Sequence, residues 1–240
     1  MELKGSKAVV TGGSSGYGKG IAAALVDAGA KVWITGRNEA RLKAAAGEIG
    51  ATPIVADAAN GADWDRVFET VGDLDILVNN AGFGGKIAPL SEQDDVGIES
   101  VIAANLTGAI LGSARAARSM VRTGRGGAIV NVSSVCAIHA WSGWSVYTAA
   151  KAGLLKFSRA LYTEMRPKGV RVTCVIPSWG NTGFDVACGI TGAAEDAELA
   201  KKCIQPSDLG RIVLDILSAP DRLAVPELTV QPMIQEIIPM

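Results

Sequence analysis

The chain has 240 residues, 48% of them hydrophobic and 20% charged, enough to bury a full sheet in one α/β domain. Its net charge is −1 with acids and bases mixed along the sequence, which argues against a nucleic-acid or membrane-surface binder. Cys136, Cys174, Cys188 and Cys203 have no CxxC spacing and His139 is the single histidine, so reduced buried thiols are expected and no metal site.

Residues 7–11 (KAVVT) read as a first strand, and GGSSGYG separates it from a helical IAAALVDAGA. Gly12, Gly16 and Gly18, with Ser14, Ser15 and Tyr17 among them, sit between strand and helix, where a dinucleotide-binding turn belongs. Glycines there permit a tight turn and a close backbone approach to a pyrophosphate. The helix N-terminus adds free N–H groups and the positive end of its dipole. A plain tight turn is the other reading of the same glycines. Gly29 closes the helix, and KVWIT (31–35) forms a second strand that ends in Gly36-Arg37-Asn38. In dinucleotide folds an acid at this place binds the adenosine ribose hydroxyls, whereas a nearby Arg accommodates a 2′-phosphate. Gly36 stands where the acid would be and Arg37 follows, which favours NADP over NAD; the alternative is a solvated loop arginine.

Residues 38–49 read as a helix, TPIVA (52–56) as a third strand closing on Asp57, 61–71 as a short helix and LDILV (74–78) as a fourth strand. Asn79-Asn80-Ala81-Gly82 follows, suited either to backbone passing close to a ligand or to ordinary turn chemistry. An irregular loop is expected over 83–97, then a long helix over about 98–122 with Asn105 in its apolar first half. An amide there needs a partner, a water, or a bond within its own helix.

The fifth strand, GAIVNV (127–132), opens onto the stretch Ser133–Lys151, where the chemistry concentrates. YTAAKAGLLKF reads as a helix, so Tyr147 and Lys151, four residues apart, stand one above the other on one face. An ammonium beside a phenol favours the phenolate and lowers a pKa of about 10 towards working pH, as a Tyr acting as general acid or base requires. Ser134, thirteen residues before Tyr147, is placed at the strand end to hydrogen-bond a substrate oxygen. Taken alone, YxxxK is one turn of an ordinary helix; the serine and the glycine turn give it weight. His139 reads as structural, and Cys136 borders the same stretch.

Pro167 and Gly169 close that helix, GVRVTCVIP (169–177) is a sixth strand, and 178–204 is expected to be an irregular substrate-binding lid. A helix over 206–218 and a last strand at PELTV complete the chain. Strand and helix alternate without linker or repeat. The expectation is a single doubly wound α/β domain of Rossmann type, a parallel seven-stranded sheet with helices on both faces. No signal peptide, lipidation motif or apolar run near the ~20 residues of a membrane span is visible, which points to a cytoplasmic protein without a membrane partner.

TGGSSGYG, Asp57, NNAG, Asn105, Ser134 and YTAAK, in this order and spacing, closely resemble the short-chain dehydrogenase/reductase family in its compact single-domain subgroup, over nearly the whole chain. The resemblance implies that Tyr147 is the general acid in carbonyl reduction and the base in alcohol oxidation. Ser134 would orient and polarise the substrate oxygen. Tyr147 and Lys151 would also touch the cofactor, Lys151 at the nicotinamide ribose, and Asn105 would hold a water of a proton relay. It further places Asp57 at the adenine, Asn80 in the ribose region and Thr182 at the carboxamide. Members usually pair through the helices bearing Asn105 and Tyr147, so a dimer or tetramer is expected. Two departures stand out. Ser178 and Gly180 replace a Gly and a branched apolar residue after the sixth strand, which puts the local backbone path in question. Tyr17 replaces an aliphatic residue in the glycine turn.

Trp141, Trp144, Trp179 and Phe184 cluster near the presumed pocket; they would line an apolar site or pack a core or subunit interface. The expected function is hydride transfer between NADP(H) and a small carbonyl or alcohol substrate, a hydrophobic or aromatic ketone or secondary alcohol. A non-catalytic NADP(H)-binding regulator is the alternative from another class. An epimerase or dehydratase fits the glycine spacing poorly.

Overall fold

The short apolar runs are strands whose successive side chains are buried on opposite faces. In β1 (Lys7–Thr11), Ala8 and Val10 join one core and Val9 the other. A computed structural model of the chain describes residues 1–189 and 196–236. The remaining strands are β2 (Lys31–Gly36), β3 (Thr52–Val55), β4 (Ile76–Asn79), β5 (Gly127–Val132), β6 (Val170–Pro177) and β7 (Glu227–Val230). They form one seven-stranded sheet in the order β3-β2-β1-β4-β5-β6-β7, every pairing parallel.

Helices cover both faces. On one side α1 (Gly16–Asp27), α2 (Glu39–Ile49) and α9 (Pro206–Ser218) bury Ile21, Leu25, Leu42, Leu209 and Val213 against the sheet. On the other, α3 (Gly61–Val71), α5 (Gly108–Thr123) and α6 (Ser145–Met165) bury Trp64, Val67, Met120 and Leu161. Each such side chain contributes about 1.5–3 kcal/mol by leaving water. Asn38, Asn60 and Asp94 cap α2, α3 and α4 (Asp95–Ile102) by accepting backbone N–H bonds, and the expected starts of α2 and α3 hold.

The structure revises four expectations. Helix α1 begins at Gly16, so Tyr17 and Gly18 lie in its first turn rather than before it. The segment read as loop through 97 ends earlier, because the Asp94 cap starts α4 at Asp95. From there one helix runs continuously to Thr123 through a π turn at Ala103–Thr107. By length and composition it could cross a membrane, a possibility the sequence reading did not allow for; here it flanks the sheet, with Asn105, Ser113 and Ser119 buried. The presumed lid carries two short helices, α7 (Phe184–Ala187) and α8 (Ala197–Lys202), while its residues 190–195 lie outside the described ones.

The amides at the strand ends turn out to be structural. Asn79, registered opposite Asn131, donates to that residue's Oδ1 at 2.8 Å and to Ser113 Oγ at 2.9 Å. Asn131 donates in turn to Ser158 Oγ at 2.9 Å. This buried chain ties α5 and α6 through β4 and β5, beneath the helices that carry Asn105 and Tyr147. The strand order reverses between β1 and β4, which opens a crevice at their carboxyl ends.

Candidate active site

Every sequence-predicted site residue except Gly18 lines a single cleft of about 1010 Å³ at that crevice. The volume is at the top of the range of roughly 300–1,000 Å³ for small-molecule sites, room for an extended ligand and a second small one. The glycine turn is clipped to β4 by Thr11 and Asn80. Thr11 Oγ1 accepts the backbone N–H of Asn80 at 2.9 Å and of Ala81 at 3.0 Å, and Asn80 Nδ2 donates to Thr11 O at 2.9 Å. Gly18 is buried behind this clip: a Cβ there would stand 2.4 Å from both Asn80 Nδ2 and Gly12 O. Its lack of a side chain is a packing requirement, so it acts through the turn and does not face the cleft. Ser14, Ser15, Gly16 and Tyr17 line the cleft at the start of α1, whose N-terminal N–H groups receive no side-chain cap from Ser15. Such an end attracts an anion.

Beyond it lie Gly36, Arg37, Arg41 and Asp57. Arg37 and Arg41 are exposed: Arg37 lies in the turn after β2, and Arg41 in the first turn of α2, which Asn38 caps by accepting Arg41 N–H at 2.9 Å. The sequence reading named Arg37 and missed Arg41, although a second arginine at the start of the helix that follows was visible. Asp57 Oδ1 accepts Ala59 N–H at 2.9 Å, a local turn that leaves the carboxylate facing the cleft.

Asn105, Ser134, Tyr147 and Lys151 come together as expected. Tyr147 and Lys151 are 7% and 4% exposed, and Lys151 Nζ stands 5.6 Å from the Tyr147 ring centre. Nζ donates to Val132 O at 3.0 Å. The π turn seats Asn105 so that its Nδ2 donates to Phe83 O at 2.7 Å and Val101 O at 2.9 Å, whereas its buried Oδ1 has no partner among the described residues. Both that Oδ1 and Lys151 Nζ border Gly82. π turns recur at functional sites. Ser134 Oγ accepts Cys136 N–H at 3.2 Å, which fixes the serine where the strand ends.

One electrostatic expectation is corrected. Burial, and next the Cys136 thiol, pushes the Tyr147 phenol well above its ordinary value, the Ser134 hydroxyl pulling the other way. The ammonium pays for its own burial first: desolvation lowers Lys151 to about 8. In the chain alone, therefore, Lys151 does not bring Tyr147 towards neutrality.

Around the phenol lies an aromatic cluster. Trp144 stacks on Phe184 at 6.3 Å, and both rings contact Tyr147, at 5.7 and 5.4 Å. Trp141 and Trp179 line the same cleft and are 39% and 52% exposed. His139 lies outside it, edge-on to Trp141. All four cysteines are buried free thiols; Cys136 borders the cleft.

After β6 the backbone takes a defined path despite the unusual residues. Gly180 bridges Ile204 in parallel, and Thr182 reaches over Gly16, to 3.3 Å from where a Cβ would be. Tyr17 Oη donates to Ser178 O at 3.2 Å, and its ring fills the space a Gly180 side chain would need. The two departures are thus one: the ring at 17 and the missing side chain at 180 fit each other. Gln235 and Glu236 also line the cleft, and no sequence signal pointed to them.

Residues 6–189 match the family model described as short chain dehydrogenase. The chain is 32% identical over 202 residues to 3beta-hydroxysteroid dehydrogenase 2 of Eggerthella lenta, covering 80% of this chain and 77% of that protein. The closed form of a serine dehydrogenase complexed with NADP+ superposes with a TM-score of 0.86 at 27% identity, over 98% of both chains. A 3-ketoacyl-(acyl-carrier-protein) reductase from Brucella melitensis complexed with NADH gives 0.85 at 27% identity, over 95% of this chain and 97% of that one. The chain belongs to the short-chain dehydrogenase/reductase family, NAD(P)-dependent oxidoreductases acting on CH–OH and C=O groups.

Proposed function

We propose that this oxidoreductase is an NADP-preferring carbonyl reductase or alcohol dehydrogenase, with a hydrophobic or aromatic ketone or secondary alcohol as substrate. The observation that carries the reading is the gathering of Ser134, Tyr147, Lys151 and Asn105 among aromatic rings in a cleft that also holds Arg37 and Arg41. The relative named for a hydroxysteroid points the same way.

The residues present fit a dinucleotide: a glycine turn with no space for side chains, an uncapped helix end, and a buried Asn105 Oδ1 without a partner. Gly12, Ser14, Ser15, Gly16 and Tyr17 would hold the pyrophosphate end, with Gly18 keeping the turn in shape. Arg37 and Arg41 would hold a 2′-phosphate, Asp57 the adenine, Asn80 the ribose region and Thr182 the carboxamide. When bound, the nicotinamide supplies or accepts the hydride.

Tyr147 Oη gives its proton to the substrate oxygen in reduction and takes it back in oxidation. Ser134 Oγ orients and polarises that oxygen. Burial keeps the phenol protonated at rest, the form a proton donor needs. Lys151 places positive charge beside the phenol as it ionises. Asn105 Oδ1 accepts from a water that passes protons between Lys151 and solvent. Trp179 and Phe184, from the segment after β6, cover the substrate. A purely regulatory role would leave the buried ammonium and the orphan Oδ1 without purpose. We also place the protein in the cytoplasm, in keeping with its four free thiols, and expect a dimer or tetramer through α5 and α6.

The test is NADPH absorbance decay across a panel of ketones and aldehydes, with NADH in parallel. Wild type should prefer NADPH and favour aromatic over small aliphatic ketones. Tyr147→Phe should lose at least 10²-fold in kcat, as general-acid catalysis implies, while still binding NADPH. A Tyr147→Phe variant that turns over normally would falsify the assignment of the proton donor.

A further inference from the structure

We infer that Gln235 is a positioning residue for the dinucleotide, the outer half of a clasp whose inner half is Tyr17 and Gly180. The inference rests on dinucleotide binding alone and not on the identity of the substrate.

The clasp is built from the segment after β7. Pro232 is buried, and Gln235 N–H donates to Pro232 O at 3.0 Å, a turn that brings the Gln235 side chain back over the end of β6. There its Oε1 accepts two bonds, from the Ser178 hydroxyl and from Trp179 N–H at 3.3 Å. Ser178 is also held by its backbone: its N–H donates to Val230 O at 2.9 Å and its carbonyl accepts Tyr17 Oη at 3.2 Å. Ser178 is therefore gripped from both sides, by the first turn of α1 and by the segment after β7. Its hydroxyl, one of the departures from the family pattern, has a use here.

Position decides what such a grip can do. Tyr17 belongs to the helix end that suits a pyrophosphate, and Ser178, Trp179, Gly180 and Thr182 form the facing wall of the same cleft. The two walls meet at Tyr17–Gly180 and at Gly16–Thr182. A dinucleotide lying between them leaves when they part, and Gln235 opposes the parting by holding the outer wall through Ser178 and Trp179. Its removal should act on release more than on capture, because the walls stay complementary and only the tie is lost.

The measurement is stopped-flow NADPH fluorescence, giving association and dissociation rates for wild type, Gln235→Ala, Ser178→Ala and the double variant. Gln235→Ala should raise the dissociation rate about 5–10-fold, as expected for one or two ordinary hydrogen bonds, with the association rate within about twofold. Ser178→Ala should raise it too, and the pair should fall short of the product of the two. If Gln235→Ala does not fold, Ser178→Ala alone decides. Dissociation rates within twofold of wild type in the folded variants overturn the clasp and leave dinucleotide binding standing. Wild type that binds neither NADPH nor NADH overturns both.

Discussion

At Gly180 a Cβ would stand 2.0 Å from Tyr17 Oη and 2.4 Å from Cζ, so neither residue can be understood without the other. Gly180→Ala should cost roughly 1–3 kcal/mol by overpacking, a fall of a few degrees in Tm. Tyr17→Leu, which restores an aliphatic side chain, should recover most of that loss when combined with it. A double variant whose destabilisation is the plain sum of the two singles would sink the pairing. Lys151 makes a second prediction, in the dinucleotide-free protein. Its folded pKa of about 8 lies below the ordinary 10.5, so between these values the unfolded chain binds the extra proton. Stability contributed through this residue therefore rises with pH over that window, by on the order of 3 kcal/mol, and the cost of burying the charge is fully present below it. Relative to Lys151→Met, wild type should gain stability from pH 8 to 10 in urea unfolding. Parallel curves would show that Lys151 is not held as a destabilised cation. The comparison must be a difference, because the thiols of Cys136 and Cys174 and the Tyr147 phenol, all raised by burial, push stability the other way at high pH.

Among the elements, α2 and the helix bearing Asn105 each carry a testable consequence. The Asn38 cap starts α2 so that Arg37 and Arg41 border the cleft at the end of β2, where Gly36 leaves no acid to repel a phosphate. Arg37→Ala and Arg41→Ala should each weaken NADPH about 10-fold or more, the scale of a charge-assisted bond, with NADH changed little. Equal losses for both cofactors in titration would remove these arginines from cofactor choice. The π turn at Ala103–Thr107 has another kind of consequence. It seats Asn105 with its Nδ2 satisfied by two carbonyls and its Oδ1 directed to the space bordered by Gly82 and Lys151. Apolar periodicity predicts the helix and says nothing about a widened turn within it.

Over the whole molecule, the sheet order brings residues far apart in sequence to one crevice. The Asn79–Asn131–Ser158 chain fixes α5 and α6 to the strands beneath them. Ile110 and Val121 on α5 leave apolar surface exposed, which a second copy would cover. Sedimentation equilibrium at micromolar concentration should return two or four times the chain mass of 24.7 kDa. A single species at the chain mass would end the oligomer proposal.

The seven strands, the sheet type, the glycine turn and the side chains that gather in the cleft were all legible in the amino-acid order, because each rests on sequence pattern. Apolar runs of strand length, glycines between strand and helix, and a Tyr and Lys one helical turn apart carry their meaning within a few residues. Arg41 was legible in the same way and was overlooked. Gln235, the Tyr17–Gly180 fit and the structural use of Asn79 were not legible, since each depends on contacts between residues 52 to 163 positions apart. Burial is likewise a property of the packed chain: the sequence placed an ammonium near a phenol, but only the surrounding core showed that desolvation is the largest influence on both groups.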